Sequence, residues 1–143
     1  MAEPFVTEID IDAPVEEVFR RLTEPAAMVS WMGQHATLDP TPGGEFSVDI
    51  NGIPIRGAYL EVEPPHRVVF SWGAAGNPAL PPGSSRVEFT LTATAAGTRL
   101  RLVHADLPDE EAPKHGIGWA HFVARLAVAA SGADPGPDPW GPS

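Results

Sequence analysis

Apolar residues alternate with polar ones along most of this chain, and the places where the alternation stops mark out its elements. Phe5, Val6, Ile9 and Ile11 sit among polar partners and predict a first strand over residues 5–12. The period then changes: Val15, Val18, Phe19 and Leu22 recur at the spacing that puts one side of a helix against a core. Asp12 is the candidate cap of that helix, Pro14 suits its first turn, and Glu16 and Glu17 favour the positive end of its dipole. Thr23-Glu24-Pro25 breaks the pattern and starts a second short helix running through Met28 to Trp31.

Two-residue alternation returns at Glu45. Phe46, Val48 and Ile50 share one strand face, Asn51-Gly52 signals a tight two-residue hairpin, and residues 53–63 form the return strand, with Pro54 restricted to an edge or a bulge. Residues 66–72 place Val68, Phe70 and Trp72 on one face, residues 85–94 place Val87, Phe89 and Leu91, and residues 98–105 align Leu100, Leu102 and His104. Residues 73–84, rich in Gly, Pro, Ala and Asn, predict a mobile loop that is either a lid or a plain surface connection. After an acidic connector over 106–113, His115, Trp119, Phe122 and Leu126 fall on one face of a long closing helix. From Gly132 onward Pro and Gly dominate. The organisation read from this is one domain over 1–131 followed by a disordered tail over 132–143.

The length of 143 residues fits a single domain with a real core. A hydrophobic fraction of 43% fits a water-soluble globular chain, and no apolar run approaches the roughly 20 residues that span a bilayer. Met1-Ala2-Glu3-Pro4 lacks the basic region and apolar core of a secretion signal, so the expected location is cytoplasmic. Without cysteine there are no disulfides, thiolate metal sites or thiol nucleophiles. A net charge of −10 argues against nucleic acid and against anionic membrane surfaces, both of which need clustered Lys and Arg.

Several stretches then combine into a resemblance. Ile11-Asp12-Ala13-Pro14-Val15-Glu16-Glu17-Val18-Phe19 resembles the opening of START-like (Bet v 1-like, SRPBCC) domains. Trp31, Gly43-Gly44-Glu45-Phe46, Gly57, the run from Glu61 to Val68, Trp72, Gly97-Thr98 and the run from Gly116 to Trp119 resemble, in their order and spacing, the activator of heat-shock protein 90 ATPase homologue family. The resemblance covers roughly residues 5–131. It implies an α+β helix-grip fold: a curved antiparallel sheet wrapped around a long C-terminal helix, with two short helices after the first strand. It also implies a choice among apolar-ligand binding, cyclase or hydrolase chemistry, and partner-binding modules of the co-chaperone kind, which the fold alone does not make.

Placing the strand faces against the last helix gives a candidate ligand site. Phe46, Phe70, Trp72, Phe89 and His104 come from the strands and His115, Trp119 and Phe122 from the helix, while Trp31 is placed to close one end. His104 and His115 lie at neighbouring ends of their elements. Either is a possible acid or base, but the simpler reading is that they satisfy each other, Asp106 or loop carbonyls. No metal site is expected, because His115 and His121 are six apart and share no helical face. Gly43-Gly44 precedes a strand and so makes no phosphate loop, and no cofactor is implied. Glu61 and Glu63 read as a solvated strand face, with Tyr59 uncertain in phase. The expected function is binding of an apolar or amphipathic small molecule. The alternatives are a module that stimulates a partner ATPase and a cyclase or hydrolase using a cavity histidine, and a homodimer is a possible assembly.

Overall fold

The first strand, β1 (Phe5–Ile11), pairs with the last strand of the chain and not with the segment that follows it. It lies antiparallel to β7 (Thr98–Ala105), with Phe5 opposite His104 and Ile11 opposite Thr98. From β7 the sheet runs back through β6 (Ser85–Ala93), β5 (Arg67–Trp72), β4 (Ile53–Glu63), β3 (Glu45–Ile50) and β2 (His35–Leu38). The order is β1-β7-β6-β5-β4-β3-β2, antiparallel throughout. The two edge strands do not meet, so the sheet is curved but unclosed. Two short helices, α1 (Val15–Thr23) and α2 (Pro25–Met28), follow β1, and the 19-residue α3 (Ala112–Ala130) closes the chain against the sheet. This is the helix-grip fold. The structure is a computed structural model and describes residues 4–136.

Strand periodicity explains which face is filled. On β7 Thr98, Leu100, Leu102 and His104 are buried, whereas Arg99 and Arg101 point outward, where Asp10 and Glu8 of β1 sit directly opposite them. The β3–β4 hairpin turns through Asn51 (φ 47°) and Gly52 (φ 87°), the mirror-image turn that matches strand twist, and this sets Ile50 opposite Ile53. Pro54 pairs with Asp49, and its free side meets a loop: its carbonyl accepts the Ala75 N–H at 2.9 Å. A register shift between Tyr59 and Glu61 then reverses the phase of β4, turning Tyr59 fully inward and Glu61 outward to Arg67 and Arg86.

Three local details differ from expectation. β2 is not apparent in the sequence, because its alternation runs over only four residues. Asp12 does not cap α1: the helix begins after Pro14, and Asp12 sits in a turn closed by the Ala13 N–H and the Ile11 carbonyl at 2.9 Å. α2 ends at Met28, so Trp31 lies in the turn beyond it. Residues 132–136 run beside Arg125, whose guanidinium donates to the carbonyls of Pro135 (3.4 Å) and Gly136 (3.0 Å). The rest of the predicted tail lies outside the described residues. No helix among the described residues is long and apolar enough to cross a membrane.

Candidate functional site

The inward-facing residues of β3, β4 and β5 change character along the strands. Toward one end they are Phe46, Tyr59 and Phe70, and they fill the space beneath the helices. Phe46 and Phe70 stack with centroids 3.9 Å apart, and Tyr59 meets Phe46 edge-on at 5.6 Å. The Tyr59 hydroxyl donates to the Leu22 carbonyl at 2.8 Å, and burial, with Asp39 adding to it, raises its pKa. Phe89 continues the layer 6.0 Å from Phe70. All four are fully buried.

Toward the other end β3 and β4 carry isoleucines in place of rings, and a cavity of about 560 Å3 remains. Ile50, Ile53 and Ile55 of the hairpin form one wall, Ala74 and Leu80 of the 73–84 loop a second, and Trp72, Trp119 and Phe122 a third. Asn77, Glu111, Lys114 and His115 supply its polar groups. The loop, expected to be mobile, is tied down along β4. Arg56 N–H donates to the Gly73 carbonyl and Ala74 N–H to the Leu80 carbonyl, both at 2.9 Å, and Leu80 is buried.

Two tryptophan–histidine pairs cross between the sheet and α3 at this cavity. An indole N–H can only donate, which fixes both imidazole tautomers. Trp119 Nε1 donates to His104 Nδ1 at 2.9 Å, so the ring proton of His104 is on Nε2 and is donated to Ser85 Oγ at 2.8 Å. Ser85 in turn donates to the Trp72 carbonyl at 2.8 Å. In the second pair Trp72 Nε1 donates to His115 Nε2 at 3.2 Å, leaving the His115 Nδ1 proton for the Glu111 carbonyl at 3.0 Å. The two imidazoles lie edge to face with centroids 5.1 Å apart. Burial lowers the His104 pKa to about 3, with the nearby His115 adding to the effect. Burial also lowers that of His115, against the raising influence of the Glu111 carbonyl and carboxylate. Both rings are therefore neutral, and each acceptor nitrogen is covered by an indole N–H. Neither is placed to take a proton from a ligand.

Of the nine residues expected at the site, Trp72, His115, Trp119 and Phe122 line the cavity. Phe46, Phe70, Phe89 and His104 stand behind them as the buried layer. Trp31 is elsewhere: its indole donates to the Arg21 carbonyl at 2.9 Å and its own carbonyl accepts Arg125 Nε at 3.1 Å, joining α1 to α3. The isoleucines of the hairpin and Glu111 are lining residues that sequence reasoning missed. Glu111 stands four residues before His115, a helical spacing that could have found it had the connector not been taken to run through Pro113. A second cavity, of about 460 Å3, lies between Arg21, Gln34 and the 132–136 segment, and none of the nine borders it. Among the described residues no cluster of three or more His, Cys, Asp or Glu could hold a metal ion.

No curated protein matches the chain. Among solved structures, an AHSA1-like protein from Rhizobium etli is 43% identical, with a TM-score of 0.76, over 100% of this chain and 92% of its own. A protein from Mesorhizobium loti is 28% identical, with a TM-score of 0.79, over 89% of this chain and 96% of its own. The Aha1 dimer from Colwellia psychrerythraea, 17% identical with a TM-score of 0.80 over 91% of this chain and 97% of its own, shares the fold. The family described as Activator of Hsp90 ATPase homolog 1-like protein matches residues 12–131. The chain belongs to that family, within the START-like SRPBCC superfamily.

Proposed function

We propose that this protein binds an apolar or amphipathic small molecule in the cavity beneath the first half of α3. The observation that carries the reading is the cavity itself: about 560 Å3, walled by Ile50, Ile53, Ile55, Trp72, Trp119 and Phe122, with a few polar groups at one side. That size and mixture are those of small-molecule sites in general. The same end of α3 contains Gly116 and Gly118, each of which weakens a helix by about 1 kcal/mol relative to alanine. Gly116 gives its helix turn a close approach to Phe5, whose ring lies 3.3 Å from where a Cβ would stand.

The test uses 2-methoxynaphthalene as an apolar probe, followed by tryptophan emission and by native mass spectrometry. The wild-type chain takes up one probe per protomer, and Ile55→Trp, which pushes an indole into the cavity, weakens uptake about tenfold or more while circular dichroism stays unchanged. Equal uptake by a folded Ile55→Trp variant would overturn the assignment. The family description suggests a different activity, stimulation of a partner ATPase, which needs a surface and not a cavity. Obstructing the cavity would leave such an activity intact. The same mass spectrum reads directly whether this chain forms a dimer, as the Colwellia protein does.

A further inference from the structure

Building on the ligand-binding reading above, we propose that the cavity selects a neutral, largely aromatic molecule carrying a hydroxyl group, and that Glu111 Oε1 is the acceptor for that hydroxyl. Most hydrogen-bond acceptors of the cavity are already engaged. His115 uses both ring nitrogens, on Trp72 and on the Glu111 carbonyl. The side-chain oxygen of Asn77 accepts the Ala79 N–H at 3.0 Å. The Glu111 carboxylate is different. Its side chain is only 9% exposed and borders the cavity. Oε2 accepts from Lys114 Nζ at 3.4 Å. Oε1 has no hydrogen bond among the described residues, the His115 Nδ1 at 4.0 Å being too far and already committed to a carbonyl. A carboxylate oxygen on a cavity wall is otherwise met by water, and a ligand hydroxyl can replace that water.

Charge decides what kind of donor fits. Lys114 already faces the carboxylate, so what a ligand can add there is a hydrogen bond and not a counter-charge. A ligand cation would be drawn out of water to a carboxylate that it must share with the Lys114 ammonium. A ligand anion would meet Glu111 itself. A neutral O–H escapes both penalties and gains a short, charge-assisted bond. The aromatic body follows from Trp72 and Trp119, whose rings lie 5.2 Å apart at 49° and, with Phe122, offer faces and edges to a flat molecule. Ile117, on the cavity-lining stretch of α3 and 64% exposed, adds apolar surface to the same wall.

The test compares 2-naphthol with 2-methoxynaphthalene, which share a ring system and differ in the donor, by isothermal titration calorimetry on the full chain near neutral pH. The expected result is about tenfold tighter binding of 2-naphthol, with the preference over 2-methoxynaphthalene falling below about threefold in Glu111→Gln. Equal affinity of the two probes for the wild type overturns the selection by Glu111 and leaves the cavity reading standing. Binding of neither probe removes the cavity reading and this inference together. Tighter binding of 2-naphthylmethylammonium than of 2-naphthol would overturn the neutral-ligand assignment in favour of a cation site. The wild-type comparison decides the matter even if Glu111→Gln fails to fold.

Discussion

The concave side of the sheet has a filled end and a hollow end, and the same three strands build both. On β3 the inward series runs Phe46, Val48, Ile50, on β4 the ends are Tyr59 and Ile55, and β5 runs Val68, Phe70, Trp72 before Ala74. At the first end, stacked and edge-on rings occupy the volume under the helices. At the second, aliphatic side chains and an alanine leave about 560 Å3 open. The backbone pattern is the same, so the difference lies in the smaller side chains of β3 and β4 at the hollow end and in where α3 crosses the sheet. A packed core and a cavity are here two settings of one architecture. The filled end anchors the fold, and the hollow end leaves space beside it.

The largest test of that division is to empty the filled end. Phe70→Ala removes a ring packed against Phe46, Tyr59 and Phe89 and should cost about 3–5 kcal/mol, the usual range for a buried phenylalanine. Ile53→Ala, at the half-buried rim of the cavity, removes fewer contacts and should cost about 1 kcal/mol. Urea unfolding of the two variants measures the contrast. Similar losses would show that the hollow end carries as much of the stability as the filled one.

Between the two ends stands the buried His104, and acid probes how firmly it joins them. Its pKa is about 3 in the folded chain, below the usual 6.5 of the unfolded one. Above pH 6.5 the ring is neutral in both states and the shift contributes nothing. As pH falls below 6.5 the unfolded chain takes up a proton that the folded chain refuses, so stability declines down to about pH 3. At about 1.4 kcal/mol per pH unit, the loss on going to pH 5 is about 2 kcal/mol from this residue. His115, shifted in the same direction, steepens the slope. His104→Phe should itself cost about 2 kcal/mol at pH 7, because it leaves the Trp119 N–H without an acceptor, and it should flatten the profile between pH 6.5 and 5. An unchanged slope in that variant would mean that His104 is not the buried neutral group.

How much of this the sequence reveals follows from what periodicity encodes. A period of two residues tells which face of a strand points inward, which is why Phe46, Phe70, Trp72, Phe89 and His104 were all legible as inward residues. It says nothing of how far the opposite wall stands from them. Whether Phe70 fills and Trp72 lines depends on where α3 crosses, and that is a tertiary distance. The pairing of Trp72 with His115 and of Trp119 with His104 is hidden for the same reason, although all four residues were expected to converge. The phase of β4 is open in the sequence because Pro54 makes its start irregular, and the bulge between Tyr59 and Glu61 leaves no mark that alternation can read. Glu111 was obscured by its acidic neighbours, since Asp109 and Glu110 made the whole stretch look like solvated connector.

The smallest expected effect is the sharpest test of hollowness. Adding bulk to a packed core forces strain and costs about 1–3 kcal/mol, whereas adding it to a cavity meets open space and buries further apolar surface. Val68→Phe, next to the ring layer and opposite Phe89, should fall in the first class. Ile55→Trp, facing the cavity, should change stability by under about 1 kcal/mol in either direction, because strain and added burial nearly offset one another. Thermal and urea unfolding of the pair measure the difference. If Ile55→Trp were as costly as Val68→Phe, the hairpin wall would be closed in solution. A ligand would then have to pry the two ends apart before binding.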